Sequence, residues 1–350
     1  MSAPTQALAV CGPTASGKTA LGISLAKALN GEVVNIDSVQ VYRGADVGSA
    51  KAPVAERQGI PHHLLDLVAP SFQMTAGDFR AVALPCLSEI TARGKLPILV
   101  GGTGMYLTTL LHGMADVPPT SPEIRAEVGS LSPEEQYTEL AKVDPPTAAR
   151  LHANDSQRVS RALEIYRMTG KRASDLFDQH MFAARDVVAL MIVVCRGRDE
   201  LYDRINRRSR EMIDRGLVDE TRALRTQFGD APVLRTIGYS QACDLLDGKI
   251  APEKLAEEIA LYTRRFAKRQ MTFLRNEPEK RGWVVRPSPS EDAHELVGFA
   301  TESKRARAET KGFRVFEMRE RELCDRVADR LRAPLERTEV WYVSLLEEKV

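Results

Sequence analysis

Ala7-Leu8-Ala9-Val10-Cys11-Gly12-Pro13-Thr14-Ala15-Ser16-Gly17-Lys18-Thr19 decides the reading of this chain. An apolar run with the length of a buried strand passes into G-x-x-x-x-G-K-[ST], and Lys18 to Leu29 continues as a helix. Strand, glycine-rich loop and helix in that order make a phosphate cradle. Several backbone N–H groups must point into one concavity, which needs glycine at two bends. The helix N-terminus adds partial positive charge. The candidate phosphate-binding residues are therefore Gly12, Pro13, Thr14, Ala15, Ser16, Gly17, Lys18 and Thr19. Lys18 can reach the outer phosphates, and the Thr19 hydroxyl can ligate Mg²⁺. Kinases, ATPases and GTPases share such a loop, so it identifies a ligand class and leaves the reaction open.

Working outward, Val33 to Ile36 reads as a second strand, Ala76 to Arg93 as a long helix, and Pro97 to Val100 as a third strand ending in Gly101-Gly102-Thr103-Gly104. Met105 to Leu111 is a further helix. Val187 to Val194 is a strand apolar on both faces, as a central parallel strand must be. Strands alternating with helices imply a parallel sheet. The expected fold class is α/β, a P-loop NTPase-like parallel sheet core with a helical insertion. Residues 1–117 and 183–284 form the expected catalytic core. Residues 118–182, punctuated by Pro122, Pro133 and Pro145-Pro146, read as the insertion. Residues 253–276 read as an amphipathic helix with Leu255, Ile259, Tyr262, Phe266 and Phe273 as its apolar stripe. In the extension at 285–350, 23 of the 50 residues from 301 onward are charged, which suggests a solvated helix or a disordered tail, with no role assigned.

Composition narrows the function. Of 350 residues, 43% are apolar and 28% charged, which excludes wholesale disorder and fibrous folds. Lys plus Arg (49) balances Asp plus Glu (48), so net charge predicts no polyanionic partner, while a local basic surface stays open. The longest apolar run, Val187 to Cys195, is far short of a membrane span, and no membrane partner is expected. Met1-Ser2-Ala3-Pro4 lacks a basic n-region, so no signal peptide is expected. Five scattered cysteines suit reduced thiols in a cytoplasm.

The remaining motifs resemble the tRNA dimethylallyltransferase (tRNA isopentenyltransferase) family. They are GPTASGKT at 12–19, DSVQVYRGADVGSAKAP at 37–53, DFRAVA at 78–83, ILVGGTGMY at 98–106, HANDSQRVSRALEIYRMTGK at 152–171, RTIGYSQ at 235–241 and RRFAKRQMTFLR at 264–275. They run in family order to about Trp283. The segment Gly48 to Pro53 departs from it by one extra residue before the proline. Only His294 and Cys324 follow residue 285, which excludes the zinc finger of some relatives.

The resemblance implies transfer of a dimethylallyl group from dimethylallyl diphosphate to the exocyclic N6 amine of the adenosine 3′ to the tRNA anticodon, with release of diphosphate. It implies that Asp37 is the general base; by itself, Asp-Ser after a strand reads equally as a helix N-cap. It places Thr103 against the reacting nucleotide; by itself, Thr103 reads as turn chemistry. It makes Arg208 the diphosphate arginine; by itself, Arg208 belongs to a charged helical run with Asp203, Arg204, Arg207, Arg210 and Glu211. It assigns tRNA contact to Asp37, Ser38, Val39, Gln40 and Thr103, to Arg125, and to Gln157, Arg158, Val159, Ser160 and Arg161. Arg235, Thr236, Ile237, Gly238, Tyr239 and Ser240 complete that set. The implied cofactor is Mg²⁺, and the implied partners are a tRNA anticodon stem-loop and dimethylallyl diphosphate. A monomer is expected.

Three other readings stay open at this level. A small-molecule P-loop kinase would use ATP at the same loop. A non-catalytic nucleic-acid-binding scaffold would not need Asp37 and Thr103 at strand ends. An enzyme prenylating free adenine nucleotides would not need so large a helical region between 118 and 182.

Overall fold

The computed structural model describes residues 3–115, 117–180, 186–281, 283–285 and 316–345. The chain forms two compact units, one from Met1–Leu111 with Asp186–Val350, the other from His112–Arg185. In the first unit the elements run β1 (Thr5–Cys11), α1 (Lys18–Ala28), β2 (Gly31–Asn35), β3 (His62–His63), α2 (Ala76–Ala92), β4 (Leu96–Gly101) and α3 (Gly104–His112). The second unit follows with α4 (Pro122–Gly129), α5 (Pro133–Val143), α6 (Pro145–Arg150), α7 (Ser156–Thr169) and α8 (Ala173–His180). The chain then completes the first unit with β5 (Val187–Cys195), α9 (Arg198–Asp214), α10 (Leu217–Phe228), α11 (Tyr239–Leu246), α12 (Leu255–Arg281), β6 (Val284–Val285), β7 (Phe316–Met318), α13 (Glu320–Leu331) and β8 (Glu339–Leu345).

All strand pairs are parallel, in the order β3-β2-β4-β1-β5-β8-β6, with β7 also on β8. Alternation decides which side each residue covers. Ala7, Ala9 and Cys11 pack with Phe79, Leu87 and Ile90 of α2 and with Met271 and Leu274 of α12. Leu8 and Val10 face the other way, against Leu21 and Leu25 of α1 and Leu323 and Val327 of α13. β5 is buried along its whole length, which its unbroken apolar run required. No helix among the described residues is long and apolar enough to cross a membrane.

The charged extension corrects an expectation. Residues 301–315 and 346–350 lie outside the described residues, but 316–345 are neither a tail nor a solvated helix alone. Glu339–Leu345 enters the sheet beside β5, Leu190 opposite Glu339 through Cys195 opposite Ser344. Val340, Trp341, Tyr342 and Val343 are buried. The charges fall on the outward side of α13 and in ion pairs such as Arg330 with Glu339. The stripe of α12 also differs from its expectation. Leu255, Ile259, Ala260, Ala267, Met271 and Leu274 are buried, whereas Tyr262 is exposed.

In the second unit the prolines open helices. Pro122, Pro133 and Pro145 each sit in a first turn, behind the capping side chains of Ser121, Ser132 and Asp144. Asp144 is buried. Burial alone would raise its pKa, but hydrogen bonds from Ser174 and Thr147 outweigh it and hold the carboxyl below its usual range.

Candidate active site

The cradle forms where β1 ends. Gly17 caps α1 at φ +96°, a left-handed conformation that a side chain would strain. The loop carbonyls point outward and are caught by arginines. Arg196 Nε donates to Ser16 O at 2.9 Å, and Arg204 Nε to Ala15 O at 2.8 Å. Arg208 Nη1 donates to Thr14 Oγ1 at 3.2 Å. Arg204 and Arg208 are four apart on α9 and so share one face. Arg207, on another face, is exposed and approaches Glu211. Sequence reasoning placed Arg204 in one charged run with Arg207 and Arg208 and gave neither it nor Arg196 a role. For Arg204 the signal was its four-residue spacing from Arg208 on α9, facing a loop that needs its carbonyls held.

The floor of the cradle is strongly cationic. Burial, reinforced by the neighbouring Arg208 charge, lowers the Lys18 pKa to about 8, against an opposing pull from Asp37. Burial likewise depresses Arg208, with Asp37 acting in the other direction. Both side chains are thus held as cations short of a counter-charge.

β2 ends at Asn35, and Asp37 stands two residues beyond, at the carboxyl end of the sheet, where such folds place ligands. Its Oδ1 accepts from Val39 N at 2.8 Å and Gln40 N at 3.3 Å. This is the capping geometry, and it leaves Oδ2 outside those two bonds. Thr103, in the turn after β4, does more than turn chemistry. Its Oγ1 accepts from Ser38 N at 3.1 Å, and its own N–H donates to Ile36 O at 3.4 Å. The acid and the threonine are thereby tied together.

A cleft of about 350 Å³ joins these parts. Thr14, Lys18, Thr19 and Arg208 line it together with Asp37, Ser38, Val39 and Gln40, and Arg235, Thr236 and Ile237 also contribute. Val33, Val100, Ile205, Met212, Ile259 and Phe266 supply apolar wall, and Arg269 lies over the Phe266 ring at 5.6 Å. Gln270, another residue that sequence reasoning left without a role, also lines the cleft. Its Oε1 accepts from Thr14 N at 2.8 Å and its Nε2 donates to Gly102 O at 3.0 Å.

Arg125, Gln157, Arg158, Val159, Ser160 and Arg161 belong to the second unit. Arg125 and Arg158 are exposed, and Arg158 pairs with Asp155 at 3.0 Å. Ser160 Oγ donates to Gln136 Oε1, and Arg161 reaches Thr120 and Glu164. Two of the expected contact residues have buried side chains. Val159 and Tyr239 are fully buried, the first in the core of the second unit, the second donating to Glu220 Oε1 at 2.6 Å.

The IPP transferase family model matches residues 40–277. The chain belongs to this family. The isopentenyl transferase family model matches residues 5–72. The tRNA dimethylallyltransferase 1 of Pelobacter propionicus is 44% identical over 278 residues, which is 78% of this chain and 90% of that protein. The tRNA dimethylallyltransferase of Stenotrophomonas maltophilia is 44% identical over 305 residues, 83% and 95% respectively. Among solved structures, the tRNA isopentenylpyrophosphate transferase of Bacillus halodurans has a TM-score of 0.57 at 39% identity, covering 78% of this chain and 87% of that one. A eukaryotic dimethylallyltransferase described as acting on tRNA has a TM-score of 0.69 at 32% identity, covering 77% and 70%. The IPP transferase match ends at residue 277, ahead of β6, β7, α13 and β8.

Proposed function

We propose that this chain is a tRNA dimethylallyltransferase, moving a dimethylallyl group from dimethylallyl diphosphate to N6 of the adenosine 3′ to the anticodon. The observation that carries the reading is one cleft lined together by a cationic phosphate cradle, Asp37 and apolar side chains. In the reaction, the bond between C1 of the prenyl group and N6 forms as the bond from C1 to the diphosphate oxygen breaks. The electron pair of the broken bond leaves with diphosphate, and the N6 proton passes to Asp37 Oδ2. Lys18, Arg208 and the loop N–H groups stabilise the charge that grows on the leaving group. The apolar wall holds the prenyl chain, and burying four carbons contributes roughly 3 kcal/mol.

The Thr19 hydroxyl, exposed in the first turn of α1, fits Mg²⁺. That ion keeps several waters and takes phosphate oxygens, needing few protein ligands. Bound there, Mg²⁺ supplies positive charge to the diphosphate.

The adenosine must leave its stack to enter the cleft. Ser38, Val39 and Gln40, with Arg235, Thr236, Ile237, Gly238 and Ser240, are the proposed tRNA contacts on the first unit. Arg125, Gln157, Arg158, Ser160 and Arg161 are the proposed contacts on the second. A cytoplasmic location and five free cysteines suit one another.

Incubation with labelled dimethylallyl diphosphate and an anticodon stem-loop tests the reading. Label on the adenosine is the expected result. Phosphorylation of a small metabolite by ATP without any RNA alkylation would replace it with the kinase alternative.

A further inference from the structure

We propose that Gln270 is a positioning residue that sets the distance between the phosphate cradle and the Asp37 base. The inference deepens the proposed transfer reaction and rests on it.

Gln270 lies on α12 and is only 6% exposed. One end of its amide accepts from the backbone of the phosphate loop, Thr14 N, at 2.8 Å. The other end donates to the backbone of the turn after β4, Gly102 O, at 3.0 Å. The next residue in that turn is Thr103, whose Oγ1 accepts from Ser38 N at 3.1 Å, one residue from Asp37. A single hydrogen-bonded path therefore runs from the leaving-group cradle through Gln270 and Thr103 to the strand end that carries the acid. In the transfer reaction C1 and N6 must lie between these two ends, aligned with the diphosphate oxygen. A path that fixes their separation governs the alignment.

The surroundings support this role. Gly102 permits the approach, because a Cβ there would overlap Gln270 Nε2. Met271 and Leu274 are buried in the sheet core, which fixes the rotation of α12. The chemistry demands a primary amide of this length. It accepts at one end and donates at the other, from a side chain long enough to span both partners. Glutamate keeps the length but has no donor for the Gly102 carbonyl. Asparagine keeps both functions but is one methylene short.

The test is steady-state transfer of labelled dimethylallyl to an anticodon stem-loop by full-length wild type, Gln270→Glu, Gln270→Asn and Gly102→Ala. Inorganic diphosphate binding and thermal melting are measured on the same preparations. The expected result is a fall in kcat of the order of 10²-fold in each variant, the size of effect that a misplacement of about 1 Å produces. KM for the stem-loop should stay within about twofold, the pattern of a loss felt in the transition state and not in ground-state binding. The melting temperature should not track kcat across the three variants. A folded Gln270→Glu or Gln270→Asn enzyme with wild-type kcat overturns the inference. So does a set in which kcat falls only in proportion to folded protein. A wild type that transfers no prenyl group overturns the proposed function and this inference with it, an outcome distinct from an active wild type with unaffected variants.

Discussion

The Tyr342 phenol donates to the Leu274 carbonyl at 2.9 Å, so β8 grips the helix that carries Gln270. β8 is inserted between β5 on one side and β6 and β7 on the other. It covers an edge of β5 that would otherwise present a long, flat, wholly apolar strand. Gln6 ties the same region down from β1, donating to Leu335 O and accepting from Leu335 N. The extension is thus part of the sheet and braces the site from behind.

Replacing Tyr342 by Phe removes that bond and leaves the buried Leu274 carbonyl without the phenol. The expected cost is about 1 kcal/mol. Urea denaturation should show a lower midpoint with an unchanged slope. A chain ended at residue 315 loses β7, α13 and β8 together, and is expected to be recovered mainly as aggregate, read by light scattering. A soluble, monodisperse truncation would contradict the brace.

Asp37→Asn separates the capping role from the proposed base. Asparagine keeps an oxygen for the Val39 and Gln40 amides, so the strand end retains its shape. It cannot take up the N6 proton. Transfer should fall by about 10² to 10⁴, the usual range for a lost general base. Binding of the stem-loop, measured by filter retention, should stay close to wild type. An unaffected rate would assign Asp37 to capping alone.

Lys18 makes diphosphate binding depend on pH in a stated direction. Its folded pKa is about 8, below the ordinary lysine value of 10.5. As pH rises through 8 the side chain loses its charge, and diphosphate affinity should weaken. Bound diphosphate favours the protonated form, so binding near pH 8 to 9 should take up protons. Calorimetry in two buffers of different ionisation enthalpy measures that uptake. Stability responds with the opposite trend. The folded state binds fewer protons than the unfolded chain between pH 8 and 10.5, so this group costs stability below pH 8 and returns it across that interval.

The core of the fold was legible because its residues obey local rules. β1, the cradle and α1 follow from apolar run, glycine spacing and helix start; Asp37 and Thr103 stand where strands end. The missed features needed partners from distant sequence. Glu339 to Leu345 lies in a stretch whose charge density masks a short buried strand, and its charges are neutralised by pairing, as in Glu339 with Arg330. Gln270 looks like any polar residue on an amphipathic helix until the Thr14 amide and Gly102 carbonyl are brought to it. Arg196 and Arg204 look solvated until the loop carbonyls face them. Tyr262 fits the helical period, yet its ring is exposed and carries Arg265 over it at 5.5 Å.

Glu220, on α10, holds the segment beyond Asp37 in place, although it lies far from it in sequence. Its Oε1 accepts from Val47 N and Gly48 N, each at 3.0 Å, and from the Tyr239 phenol at 2.6 Å. Its Oε2 accepts from Asp46 N at 3.1 Å and Val47 N at 2.9 Å. Burial, and then the Glu220 charge beside it, raise the Tyr239 pKa well above the ordinary phenol range, so Tyr239 remains a donor. The loop so anchored is read by Gln40, whose Nε2 donates to Ser49 O at 3.2 Å and whose N–H donates to Asp37 Oδ1. Glu220→Ala strips the acceptors from three backbone amides and a buried phenol. Because part of this cluster is open to water, the expected cost is about 2 to 3 kcal/mol in urea unfolding, below the sum of the separate bonds. Loosening residues 37–40 should also raise KM for the stem-loop more than KM for dimethylallyl diphosphate, whose cradle Glu220 does not touch. Glu220→Gln turns an NH₂ toward donors and should show the same pattern with a smaller loss. Equal rises in both KM values would indicate a general loosening of the unit and remove Glu220 from the ordering of this loop.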